Sequence, residues 1–131
     1  MSAHLDDVKS RIDAIEESYE FFLAYAAQGL STDQGAKSGG QLRQMLAKIE
    51  AGLDGFGGAL EAAVEEQGAQ PSDAWSEMVG VVTRDAEAAL AAVRLVSARE
   101  GVSSQLIDNL NANIHLRALL TDLFLVDDLI G

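Results

Sequence analysis

An all-α fold, an up-down-up-down four-helix bundle, is predicted by three observations: four apolar stripes at helical spacing, three short breaks rich in glycine, serine or proline, and four segments of similar length between them. The helices are expected over about residues 3–28, 40–67, 72–100 and 104–129, in a single domain spanning 1–131.

The first stripe, Leu5, Val8, Ile12, Ile15, Tyr19, Phe22 and Ala26, alternates steps of three and four, which keeps these side chains on one helix face. Ser2 is the expected N-cap, Asp6 and Asp7 sit at the positive end of the helix dipole, and Gly29 stops the helix. Residues Gly29 to Gly40 have little to bury and read as a surface connection. Leu42, Met45, Ile49, Leu53, Phe56, Leu60 and Val64 form the second stripe. Within it, Ala51 to Ala59 carries four glycines, which together cost a helix ~4 kcal/mol relative to alanine. Asp54-Gly55 could therefore form a turn. The equal lengths of the other segments favour a continuous helix whose small face, Ala51, Gly55, Ala59 and Ala62, packs closely on the alanines of helix three.

Pro71, Ser72 and Asp73 start the third helix, because proline in a first turn loses no needed amide bond. Its stripe is Trp75, Met78, Val82, Ala86, Ala89, Val93 and Val96, and Gly101 ends it. Ser103 or Ser104 opens the fourth helix, whose stripe is Ile107, Leu110, Ile114, Leu120 and Phe124.

With 131 residues, 48% of them hydrophobic, the chain can build a core without disulfides, and it has no cysteine. It shows no secretory leader, and its most apolar stretch, Leu116 to Ile130, is too short and too charged to span a bilayer. A cytoplasmic location is the expectation. The net charge of −12 argues against nucleic acid and against an anionic membrane surface, both of which recruit lysine and arginine. The acidic residues of helix one lie off its apolar stripe and form a solvated face.

No motif assigns a catalytic residue, a metal or a cofactor. A di-iron bundle needs Glu-x-x-His steps, and the chain has none. Asn-Ile-His-Leu-Arg-Ala around His115 lacks the patterns of histidine phosphotransfer domains and histidine kinases. Gly35-Ala36-Lys37-Ser38 lacks the glycine before lysine and the preceding strand of a phosphate loop.

Two features exceed what one stripe per helix requires. Phe21 and Tyr25 stand one turn apart beside the first stripe, and the end of the fourth helix is apolar around its whole axis. Phe21, Tyr25, Leu123, Val126 and Ile130 are the candidate interface anchors. The expected function is therefore a non-catalytic accessory or assembly protein, working through helical protein–protein interfaces and self-associating as a homodimer. The alternative is a bundle that binds a small ligand or a metal between its helices, with Tyr19, Trp75, Asp108, Asn111, His115 and Asp122 as the candidate ligand-binding residues.

Overall fold

The computed structural model describes residues 2–131 and is all-helical, with no strand among the described residues. Six helices follow one another: α1 (Ala3–Ala26), α2 (Gly39–Leu53), α3 (Phe56–Gln67), α4 (Ser72–Ser97), α5 (Ser104–Ala112) and α6 (Ile114–Leu129). α1 packs on α2, α3 and α5, while α4 packs on α2, α3 and α6. Between them lies a core that includes Ile12, Ile15 and Phe22 of α1, Leu42 and Ile49 of α2, Val82 and Val93 of α4, and Leu119 and Leu123 of α6.

α1 forms as its pattern requires. The Ser2 hydroxyl accepts from the Leu5 amide at 3.1 Å, filling one of the unpaired donors of the first turn. The face with Val8, Ile12, Ile15 and Phe22 is buried, and Leu5, Tyr19 and Ala26 lie at its edges.

The second expected helix is two helices. Asp54 is extended and Gly55 takes a left-handed conformation (φ 73°), so the turn at Asp54-Gly55 is the observed structure and the continuous helix is not. Arg11 of α1 compensates the break. Its Nη1 donates to the carbonyls of Asp54 (2.7 Å), Gly52 (3.2 Å) and Ala51 (3.4 Å), which the end of α2 leaves without helical partners. The apolar phase survives the turn, because Leu42, Ile49, Leu53, Phe56 and Leu60 are all buried. Close approach to α4 occurs at Gly57, where a methyl group would fall 2.0 Å from Thr83 Oγ1. Ala51 and Gly55 are exposed, so the face expected from Ala51, Gly55, Ala59 and Ala62 is not the one in tight contact.

The fourth expected helix is also two. Asn113 (ψ 128°) interrupts it, and its side-chain oxygen accepts from the amides of His115 (3.0 Å) and Leu116 (3.3 Å), starting α6 afresh. The restart changes the phase of the apolar pattern. Leu116, Leu119, Leu120, Leu123, Val126 and Ile130 face the core, whereas Ile114 and Phe124, assigned to the stripe of a continuous helix, are 74% and 59% exposed.

The connection from Gly29 to Gly40 is tied down by one buried carboxylate. Asp33 accepts from the Val102 amide (2.8 Å) and from Arg43 Nε (2.9 Å). Burial favours its neutral form, yet the hydrogen bonds from Arg43 and Val102 hold its carboxyl below the ordinary 3.8. Arg43 also donates to the carbonyls of Ser97, Arg99 and Glu100 at 2.8–3.0 Å, closing the end of α4. Ser104 Oγ donates to the Tyr25 carbonyl (2.6 Å) and accepts from the Leu30 amide (2.9 Å), joining α5 to the end of α1. No helix among the described residues is long and apolar enough to cross a membrane.

Candidate functional site

The residues singled out in the sequence fall into separate environments. Tyr25 is fully buried and its hydroxyl donates to the Val102 carbonyl at 2.7 Å. Burial, with Asp33 nearby, pushes that hydroxyl above its ordinary pKa. Phe21 is half-buried and stacks on Tyr25 with ring centres 6.4 Å apart. Leu123, Val126 and Ile130 are at most 4% exposed. Four of the five expected interface anchors therefore belong to the core, because the restart at Asn113 turns that side of α6 inward.

The expected ligand cluster is likewise dispersed. Its grouping assumed one continuous helix through Asp108, Asn111, His115 and Asp122, and Asn113 breaks the shared face. His115 and Asp108 are exposed, and Asp108 borders a hollow with Leu23, Leu30 and Gln105 instead. Asn111 is buried, and neither atom of its amide has a protein partner. Tyr19 is a half-buried residue of α1. Trp75 lines a groove of about 340 Å³ between the start of α4 and the end of α6, with Met78, Leu125 and Leu129. No group of three or more potential metal-ligating side chains forms among the described residues.

A different surface concentrates the unusual chemistry. Beside its core stripe, α4 carries a second series, Ala74, Met78, Val81, Asp85, Ala88, Ala92 and Leu95, in alternating steps of four and three. α6 has a counterpart in Ile114, Ala118, Asp122, Leu125 and Leu129. The groove joins the first turns of α4 to the last turns of α6, so the two helices run antiparallel and their second series line the outer side of one seam. Of the seven large apolar residues exposed among the described residues, five lie here: Val81 (36%), Leu95 (74%), Ile114 (74%), Leu125 (52%) and Leu129 (62%). Leu23 and Phe124 are elsewhere.

Each series is interrupted by one carboxyl group, and the two interruptions meet. Asp122 lies within hydrogen-bonding reach of Asp85, and desolvation, that hydrogen bond and the mutual charge, in this order, push it up to about 7. Asp122 Oδ2 is closed off from solvent and no donor of the chain reaches it. A proton shared with Asp85 supplies the missing donor. The pair is thus a single negative charge, or none, set into an otherwise apolar face.

Asp85 and Leu95 escape a reading of the strongest stripe alone. The signal that finds them is the second period on α4, visible as a near-continuous apolar series with one acid at its centre. Asp85–Asp122 pairing needs the antiparallel seam, which no local pattern contains. No family model matches the chain, and neither a curated protein nor a solved structure matches it.

Proposed function

We propose that this chain is a non-catalytic accessory or assembly protein of the cytoplasm that acts by protein–protein contact through the outer side of the α4–α6 seam. In this reading α2 with α3, and α5 with α6, serve as two bent rods beside α1 and α4, giving an up-down-up-down bundle that presents the seam as its contact surface. The observation that carries the proposal is the gathering of five exposed large apolar residues on that one face. Scattered exposed apolar residues are ordinary on a monomer, but a contiguous set on two adjacent helices marks a surface that is covered in use. The remaining surface is strongly acidic, with a net charge of −12, which disfavours nucleic acid and anionic membranes as the covering partner.

The test uses a photo-crosslinking amino acid placed at Leu125, 52% exposed on the seam, or at exposed Glu61 on α3 as a control. Irradiation of cells producing the protein is expected to yield discrete protein adducts from position 125 and not from 61. Equal adduct patterns at both positions, or none at 125, would overturn the assignment.

A further inference from the structure

We infer that the occupant of the α4–α6 seam is a second copy of this chain, seated antiparallel about a two-fold axis that crosses the seam at Asp85 and Asp122. The inference rests on the interface reading above and names its partner. An isologous contact requires one patch to be complementary to itself after rotation, so protrusions must lie as far from the axis on one side as hollows do on the other.

The seam meets that condition. At about 1.5 Å per residue, Leu95 and Trp75 each lie about 15 Å from Asp85, in opposite directions along α4. On α6, Ile114 and Leu129 lie about 12 Å and 11 Å from Asp122 by the same measure, again on opposite sides. One end of the seam carries the two most protruding apolar side chains, Leu95 and Ile114, both 74% exposed. The other end carries the groove of about 340 Å³ lined by Trp75, Met78, Leu125 and Leu129. Rotation by half a turn about the proposed axis sets the Leu95 end of one copy over the groove of the other, twice. An axis parallel to the helices would place groove over groove and leave both unfilled.

Charge is complementary at the axis as well. Arg84 makes no ion pair among the described residues, and it neighbours Asp85 in sequence at the mid-level of the seam. Two copies bring two guanidinium groups to two carboxyl pairs, each of which carries one negative charge while it shares a proton. The face spans roughly 32 Å by 20 Å, about 640 Å² before side-chain relief, which is near the ~800 Å² per partner of a standard interface.

The absence of cysteine allows a direct test of register. Ala74→Cys and Leu95→Cys variants, both at exposed positions, are mixed under mild oxidation, and the disulfide products are separated by mass using a tag on one variant. The expected product is the mixed Ala74→Cys/Leu95→Cys dimer, in excess over the Leu95→Cys homodimer. Sedimentation equilibrium at ~0.15 M salt, which screens the like charge of the two copies, is expected to give the wild type twice its 13.8 kDa chain mass. Leu95→Glu/Ile114→Glu is expected to weaken association by about 100-fold or more with helical circular dichroism unchanged, since both side chains are exposed in the monomer. A wild type that stays at 13.8 kDa at several hundred micromolar, or a predominant Leu95→Cys homodimer, would overturn the inference. A strictly monomeric protein that still forms adducts with other proteins from position 125 would refute the dimer and leave the interface assignment standing.

Discussion

Asp122→Asn is expected to make the fold more stable above neutral pH while leaving it nearly unchanged at pH 5. The folded protein holds the shared proton up to about pH 7, whereas the unfolded chain releases it near 3.8. A carboxyl raised in this way contributes stability that is complete below the unfolded value and lost as pH rises through the folded one. At pH 5 the wild-type pair keeps its proton, and asparagine donates a similar hydrogen bond to Asp85. At pH 8.5 the wild type sets two ionised carboxylates side by side, and the variant sets one beside an amide. The full rise from 3.8 to about 7 corresponds to ~4 kcal/mol. Solvent reaches the pair from the open side of the seam, and the expected difference is therefore about 1–2 kcal/mol. The measurement is urea unfolding at pH 5 and pH 8.5 in the Leu95→Glu/Ile114→Glu background, so that association does not enter. A difference between Asp122→Asn and its parent that is the same at both pH values would show that no proton is shared.

Adjacent glycines of α3 are expected to respond in opposite directions. Gly57→Ala meets Thr83 Oγ1 at 2.0 Å and Thr83 Cβ at 2.7 Å, and the overpacking costs about 1–3 kcal/mol. Gly58→Ala meets nothing within 4 Å and gains about 0.5–1 kcal/mol of helix propensity; thermal unfolding of the two variants checks both signs. Arg43→Met leaves the buried Asp33 carboxylate without its cation and the last carbonyls of α4 without a donor, with an expected loss of about 2–4 kcal/mol in urea unfolding at pH 7. Because Asp33 is held below its ordinary value, the wild-type advantage over Arg43→Met is present above pH 3.8 and shrinks as pH falls further, which the same titration at low pH measures.

The helical content and much of the core were legible because apolar residues at steps of three and four have one solution that buries them together. Val8, Ile12, Ile15 and Phe22, and likewise Val82, Ala86, Ala89 and Val93, are buried as their spacing requires. The two breaks differ in how far they could be read. Gly55 advertises a turn, and the weight given to equal helix lengths hid it. Asn113 carries no glycine or proline, and its role depends on a side chain that competes for amides two and three residues ahead. An undetected restart then misplaced everything after it: a helix shifted in phase exchanges inside for outside, so Leu123 and Val126 passed for surface anchors while Ile114 and Phe124 passed for core. The seam was partly readable from the second series on α4. The proton-sharing pair was not, since Asp85 and Asp122 belong to helices whose relative register is settled by tertiary packing.

Arg11 and Arg43 bear on how this protein loosens. A helix ordinarily frays from its ends, where the last carbonyls face water and opening a turn breaks few contacts. Here the final carbonyls of α2 are held from α1, and those of α4 from α2. Opening either end means withdrawing a guanidinium that belongs to another helix, so the terminal turns of α2 and α4 exchange their amide hydrogens with the body of the molecule rather than ahead of it. In a chain with twelve glycines and no disulfide, two arginines extend the cooperative unit to the places where it would otherwise end.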